Sequence, residues 1–128
     1  MFRVRNGTKI LIVDDDQQVL RAIRKILEKK GYETITFEDP ESALEYLKTE
    51  PVHLIITDLH IPGMDGIQFL RQAKQIRRSV PIIFSTGFAS IDTAVTAMQL
   101  GAFDYLKKPL EPRKIYDLVE RALGISDG

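Results

Sequence analysis

Five short apolar segments alternate with five helical patterns along the 128-residue chain. The first, third and fourth apolar segments, residues 10–13, 54–56 and 82–84, are continuous apolar runs, which is typical of strands buried on both faces. Residues 33–37 and 103–107 alternate polar with apolar side chains instead, the period of a half-exposed strand. The pattern therefore predicts five strands, with the second and the fifth at the edges of a sheet.

Residues that favour helix N-termini mark the starts of several predicted helices. An acidic run, residues 14–16, follows the first strand, and Asp39-Pro40 places a capping side chain before a proline at the first helical position. Ser90 is a candidate cap for the fourth helix. The apolar residues expected to face inward in that helix are Ile91, Ala94, Val95 and Met98.

Five strand–helix units predict an α/β fold with helices on both faces of a parallel sheet. The order 2-1-3-4-5 places the alternating strands outside and is a common doubly wound order. We therefore expect a flavodoxin-like (βα)5 fold with right-handed connections. One domain is expected over residues 9–123, between tails at residues 1–8 and 124–128.

Composition narrows the classes of function. Eighteen basic and eighteen acidic residues cancel, whereas nucleic-acid-binding domains usually carry a basic excess, so no direct nucleic-acid partner is expected. No cysteine is present, which excludes disulfides and thiolate metal sites. No apolar run approaches the roughly 20 residues that a membrane span needs, and the N-terminus has no secretory core segment. We expect a cytoplasmic protein without membrane contact.

Polar side chains follow four of the predicted strands. The acidic run at residues 14–16 follows the first strand, Asp58 follows the third, Thr86 ends the fourth and Lys108 follows the fifth. Ligands of open α/β sheets bind beyond the carboxyl ends of the strands, where the strand order reverses, here between strands one and three. The predicted order therefore brings these side chains to one edge of the sheet.

The chemistry of this set favours a metal ion and a phosphoryl group. Two carboxylates about 4 Å apart repel each other by about 4 kcal/mol at an effective dielectric constant near 20, so clustered carboxylates share protons or hold a cation. Oxygen ligands suit Mg²⁺, a lysine can pair with a phosphate, and a threonine hydroxyl can hydrogen-bond to one. Carboxylates also act as nucleophiles that form aspartyl-phosphates.

Four segments of the chain, residues 10–16, 58–66, 85–87 and 101–109, resemble the receiver domains of bacterial two-component response regulators. They occur in that family's order and at about its spacing, and the resemblance covers Lys9 to Leu123. It implies Mg²⁺-dependent transfer of a phosphoryl group to this domain from the phosphohistidine of a sensor histidine kinase or from a phosphotransfer protein. It also implies a signalling switch, not an enzyme, with slow self-dephosphorylation only.

The resemblance implies a role for each residue of the predicted metal site. Asp58 would be the phosphoacceptor and a metal ligand, Asp15 would bind Mg²⁺ directly, and Asp14 would hold a metal-bound water. The backbone carbonyl of His60 would be a further metal ligand. The side chains of His53 and His60 lack a partner motif that would make them phosphodonors or metal ligands.

Residues near the ends of the last two strands would complete the switch that the resemblance implies. Lys108 would pair with the phosphoryl group, and its peptide bond to Pro109 would be cis. Thr86 would move toward the phosphoryl oxygens, and Tyr105 would turn inward after it, although ordinary packing also explains an aromatic residue in a strand. The affected surface, formed by the predicted fourth helix, fifth strand and fifth helix, is a candidate homodimer and output surface.

Few residues indicate the output of this domain or the lifetime of its phosphorylated form. His60 and Phe88 stand at two positions that vary in this family and influence dephosphorylation, and neither is an acid or amide that would orient an attacking water, so we expect a long-lived phosphorylated form. No output domain is expected within these 128 residues.

The first helix has a basic face, formed by Arg21, Arg24, Lys25, Lys29 and Lys30. This face is either simply solvated or steers the encounter with the kinase.

Three other functions compete with this interpretation. An aspartyl-phosphate-forming phosphatase of haloacid-dehalogenase type also combines Asp, Thr, Lys and Mg²⁺, but its nucleophile follows the first strand, whereas Asp58 follows the third. A flavin or nucleotide carrier needs a phosphate-binding loop after the first strand, where this chain has three acids. An unphosphorylated interaction domain would not need the complete acidic set together with Lys108.

Overall fold

The computed structural model describes residues 7–87 and 91–124. Its strands are β1 (Lys9–Val13), β2 (Glu33–Phe37), β3 (Leu54–Asp58), β4 (His60–Ile61), β5 (Met64–Asp65), β6 (Ile82–Thr86) and β7 (Asp104–Lys107). Its helices are α1 (Gln17–Glu28), α2 (Pro40–Thr49), α3 (Gly66–Ile76), α4 (Ile91–Gln99) and α5 (Pro112–Leu123). β4 and β5, of two residues each, pair in a separate short hairpin. The predicted fourth and fifth strands are therefore β6 and β7.

The five long strands form one parallel sheet in the order β2-β1-β3-β6-β7, which confirms the predicted fold and strand order. The pairing register aligns the carboxyl ends of the strands. Val13 lies beside Thr57, Asp58 lies beside Ser85, and Thr86 lies beside Lys107. Residues that follow the ends of β1, β3 and β7 are therefore delivered to the same edge of the sheet.

The apolar strands separate two hydrophobic cores because successive side chains point to opposite faces. Leu11 and Val13 pack with α2 and α3 on one face, and Ile10 and Ile12 pack with α1 and α5 on the other. All four are essentially inaccessible to solvent, and burying each such side chain contributes about 1.5–3 kcal/mol. The edge strands β2 and β7 keep partly exposed positions, as their alternating sequences predicted.

An aspartate caps the N-terminus of three helices. The carboxylate of Asp16 accepts the Gln18 N–H at 2.9 Å to begin α1, and Asp39 accepts the Ser42 N–H at 2.8 Å to begin α2. Asp65 accepts the Ile67 N–H at 2.7 Å to begin α3. Each cap stabilises its helix by roughly 0.5–2 kcal/mol. The predicted start of α2 at Asp39 is thus confirmed.

The fourth helix is rotated relative to its predicted inward stripe. Ala94 and Ala97 are buried, whereas Val95 is 48% exposed and Met98 is 42% exposed. The prediction was therefore wrong at Val95 and Met98. The physical reason is that α4 is apolar on more than one side, so periodicity did not fix its orientation, and the small alanines allow the helix to approach the core closely. The side chain of Ile91 lies outside the described part of the chain.

Within the described ranges, no helix is long and apolar enough to cross a membrane. The longest helices, α1 and α5, contain 12 residues each, whereas a membrane span needs about 20 predominantly apolar residues.

Candidate functional site

Three carboxylates converge at the carboxyl edge of the sheet. Asp14, Asp15 and Asp58 each offer one oxygen, and these oxygens all lie within 4.8 Å of one another. Asp14 and Asp58 are buried, with 1% and 8% exposure, whereas Asp15 is exposed. The cluster forms because β1 and β3 are neighbours in register, so that residues after Val13 lie beside the end of β3.

Lys108 bridges the two buried carboxylates. Its ammonium nitrogen lies 3.0 Å from Oδ2 of Asp14 and 2.8 Å from Oδ2 of Asp58. The backbone holds the lysine in place, because its N–H donates to the Thr86 carbonyl at 2.8 Å. The peptide bond between Lys108 and Pro109 is cis. A single cation, on the residue that follows the edge strand β7, therefore links the residue that follows β1 to the residue that ends β3.

Backbone N–H groups hold the other oxygen of each buried carboxylate. Oδ1 of Asp14 accepts the N–H of Asp16 at 2.9 Å, and Oδ1 of Asp58 accepts the N–H of His60 at 3.0 Å. Each carboxylate thus has one oxygen on a backbone N–H and the other on Lys108. Hydrogen bonds to ionised groups are the stronger kind, so this arrangement fixes the direction in which both carboxylates point.

Thr86 and Tyr105 occupy different environments near this cluster. Thr86 is buried at the end of β6, directly after Ser85, the residue paired with Asp58. Tyr105 lies on the edge strand β7 and is 39% exposed, so its ring is accessible to solvent in this conformation. The predictions for Phe88 and Ser90 fall outside the described residues.

Two features of this site were not predicted from the sequence. Lys108 was expected to pair with a phosphoryl group, but its contact with Asp14 was not predicted. Gly66, which begins α3, belongs to the segment 58–66 that resembles the family, but no role at the site was predicted for it. The signal for Gly66 was its place in that segment, soon after Gly63, but such spacing does not reveal which backbone lies against the glycine.

Comparison with known proteins identifies the family. A family model described as the response regulator receiver domain matches residues 10–120. The chain belongs to this family. The DNA-binding transcriptional regulator NtrC of Escherichia coli strain K12 is 38% identical over 114 residues, covering 89% of this chain and 24% of NtrC. The response regulator protein FleR of Pseudomonas aeruginosa is 40% identical over 119 residues, covering 92% of this chain and 25% of FleR.

A solved structure shows the same fold in another receiver domain. The CheY-like receiver domain protein from Methanospirillum hungatei has a TM-score of 0.88 at 32% identity, covering 91% of this chain and 94% of that one. The present receiver domain spans about a quarter of the length of NtrC and FleR. Nothing in these comparisons supports the phosphatase alternative.

Receiver domains act as phosphoacceptor switches and are phosphorylated by histidine kinases. They typically bind Mg²⁺ through an acidic cluster, which in this receiver domain corresponds to Asp14, Asp15 and Asp58. The donor set fits that ion, because it offers carboxylate oxygens, the ligands that Mg²⁺ takes in proteins. When ionised, three carboxylates beside one ammonium leave two negative charges uncompensated, which a divalent cation can neutralise.

Burial and ion pairing set the protonation of this receiver site. Burial raises the pKa of Asp14, although hydrogen bonds from the Asp16 N–H and from Lys108 oppose this shift. Burial lowers the pKa of Lys108, but the hydrogen bonds and attraction of Asp58 and Asp14 outweigh it, so the net pKa is raised. Lys108 is therefore cationic at neutral pH, and a second cation near Asp14 would favour the charged form of that carboxyl.

Proposed function

We propose that this receiver domain is the switch of a two-component phosphorelay and that Asp58 is its phosphoacceptor. The observation that carries the proposal is the contact of one ammonium with two buried carboxylates, one of them Asp58, beside the exposed Asp15. A phosphoryl group needs a nucleophile, a cation that meets its negative oxygens and a fixed geometry. The Asp58 carboxylate, Lys108 and the backbone hydrogen bonds supply these three in one place.

In the proposed transfer, a carboxylate oxygen of Asp58 forms a bond to phosphorus as the bond from phosphorus to the kinase histidine nitrogen breaks. The electron pair of that bond returns to the imidazole, which then takes up a proton. Lys108, already 2.8 Å from Asp58, would pair with a phosphoryl oxygen. Mg²⁺ held by Asp14, Asp15, Asp58 and the backbone carbonyl of His60 would neutralise the charge that develops on the phosphoryl oxygens.

The proposed output is a shift of the surface formed by α4, β7 and α5. The added phosphoryl charge, about −1.5 to −2 at pH 7, would draw the hydroxyl of Thr86 inward and leave space into which Tyr105 turns. That surface carries exposed apolar side chains, so its rearrangement would change affinity for a second copy or an output partner. Moving such an equilibrium from 1:99 to 99:1 takes about 5.5 kcal/mol of differential binding.

We further propose where the domain acts and how long its phosphorylated form lasts. Residues 9–123 would form the receiver unit of a cytoplasmic protein, with an output domain or target outside these 128 residues. The domain would be a switch and not an enzyme, with slow self-dephosphorylation only. Because His60 and Phe88 offer no acid or amide to orient water, we expect phosphate release over minutes, not seconds. The basic face of α1 would steer encounter with the kinase or phosphotransfer protein.

The test compares three proteins incubated with acetyl phosphate and Mg²⁺, with phosphoprotein measured by mobility in a phosphate-binding gel. The wild type should be labelled, Asp58→Asn should not be labelled, and Asp117→Asn, which changes an exposed aspartate of α5, should match the wild type. Labelling should stop when Mg²⁺ is chelated. Equal labelling of Asp58→Asn and the wild type would refute the acceptor assignment.

A further inference from the structure

Leu59 and Gly66 meet at the base of the loop between Asp58 and α3. We call this contact the neck of the loop. The N–H of Gly66 donates to the carbonyl of Leu59 at 3.1 Å. Between them the hairpin of β4 and β5 pairs His60 with Asp65 and Ile61 with Met64. The backbone that leaves the end of β3 therefore returns to within hydrogen-bond distance of itself before α3 begins.

The neck has no room for a side chain at Gly66. A Cβ atom at this position would lie 2.8 Å from both Cα and the carbonyl oxygen of Leu59, and 3.0 Å from its Cδ2. Two of these atoms belong to the backbone, so a change of side-chain rotamer cannot relieve the overlap. By contrast, within the described part of the chain a Cβ atom at Gly87 would meet only Cδ of Lys108, at 4.0 Å, an ordinary contact.

Neither side of the neck is free to retreat. Leu59 is 5% exposed and belongs to the hydrophobic core, and α3 is anchored in the same core by Phe69 and Leu70. Leu59 also lies between Asp58 and His60, whose N–H holds Oδ1 of Asp58 at 3.0 Å. A displacement of Leu59 would therefore be passed to the Asp58 carboxylate and to the backbone of His60.

We propose that Gly66 is a positioning residue for phosphoryl transfer, because the bare backbone at the start of α3 sets the position of Leu59 and, through it, of Asp58 and His60. This inference rests on the proposed function of Asp58. It assigns Gly66 no contact with the phosphoryl group or the metal. Its effect would appear as misplacement of groups that remain chemically intact.

The test is Gly66→Ala, with two control variants. Gly87→Ala makes the same substitution where space exists, and Ile23→Val shortens a buried side chain of α1 to match any loss of thermal stability. Two quantities are measured for each folded protein. They are the Mg²⁺ affinity, from shifts in amide NMR spectra, and the rate of phosphorylation by acetyl phosphate.

We expect Gly66→Ala to lose about 10- to 100-fold in Mg²⁺ affinity or phosphorylation rate, the range seen when residues that orient metal ligands are changed. Both controls should stay within a factor of about two of the wild type on this scale. A purely structural role would lower thermal stability in Gly66→Ala and Ile23→Val alike and leave Mg²⁺ affinity unchanged in both. Wild-type affinity and rate in folded Gly66→Ala would overturn the proposal.

Failure of this inference can be told apart from failure of the proposed function. If the wild type itself is not labelled at Asp58, the proposed function fails. If the wild type is labelled and Gly66→Ala behaves identically, only the positioning role fails. Should Gly66→Ala unfold in buffer, measurements in about 1 M trimethylamine N-oxide would favour the folded state. Persistent unfolding there would also count against the proposal, because Gly66 would then be a requirement for folding.

Discussion

Replacing Lys108 with methionine should destabilise the metal-free protein strongly, because it removes the cation shared by two buried carboxylates. The ammonium lies 3.0 Å from Asp14 and 2.8 Å from Asp58, and the lysine side chain is only 22% exposed. Removing one partner from a buried ion pair costs about 3–5 kcal/mol. The partial exposure of Lys108 favours the lower end, so we expect a loss of about 3 kcal/mol in the free energy of unfolding at pH 7.

The pH dependence of this loss follows from the directions of the pKa shifts. The raised pKa of Lys108 means that its contribution is complete below its unfolded value of about 10.4, and it is lost only as pH rises through the folded value. The raised pKa of Asp14 makes the protein lose stability as pH rises from about 3.9 toward the folded value. Without Lys108 that pKa rises further, so the difference between variant and wild type should widen between about pH 4 and 7.

Urea unfolding in the presence of a chelator, followed by far-UV circular dichroism across this pH range, measures the effect. Lys107→Met is the matched control, because Lys107 is the exposed residue that ends β7, directly before Lys108. Saturating Mg²⁺ should restore more stability to Lys108→Met than to the wild type, since a bound cation stabilises the folded state by linkage and meets uncompensated carboxylates there. A loss below about 0.5 kcal/mol at pH 7, typical of surface substitutions, would refute the reasoning.

Three further predictions concern the α1 cap, the inward face of α4 and the pKa of Asp14. Each is checked by urea unfolding. Asp16→Ala should lower the free energy of unfolding by about 0.5–2 kcal/mol through loss of the α1 cap; an unchanged midpoint would contradict the cap. Ala97→Leu should lower the free energy of unfolding by about 1–3 kcal/mol through overpacking, whereas Met98→Ala should lower it by less than about 0.5 kcal/mol. The reverse order would indicate that Met98 faces the core, as the sequence predicted. Asp14→Asn without Mg²⁺ should lose less stability than the wild type as pH rises from about 4 to 7; parallel curves would contradict the raised pKa.

The sheet could be predicted from sequence because strand burial leaves a direct mark on composition. A strand covered on both faces tolerates few polar residues, as in residues 54–56, whereas an edge strand such as β7 alternates. Strand order then followed, and with it the edge at which Asp14, Asp58 and Lys108 meet. These residues needed no precise side-chain geometry to be placed together, since parallel strands bring their carboxyl ends to one side.

The features that sequence did not predict depend on close packing. The orientation of α4 is decided by the small side chains of Ala94 and Ala97, and its apolar residues on several sides left the inward face ambiguous. The overlap at Gly66 depends on how closely its backbone approaches that of Leu59, where an added Cβ would lie 2.8 Å from two backbone atoms. The double contact of Lys108 likewise depends on how far one flexible side chain reaches across the sheet.

We expect phosphoryl transfer to end on the Asp58 carboxylate, and this can be tested by mapping the phosphorylated residue. The wild type is phosphorylated with acetyl phosphate and Mg²⁺ and reduced with borohydride, which converts an aspartyl-phosphate to homoserine, and its peptides are then sequenced by mass spectrometry. We expect homoserine at residue 58. Homoserine at Asp14 or Asp15, or a stable phosphoryl group on His53 or His60, would contradict it.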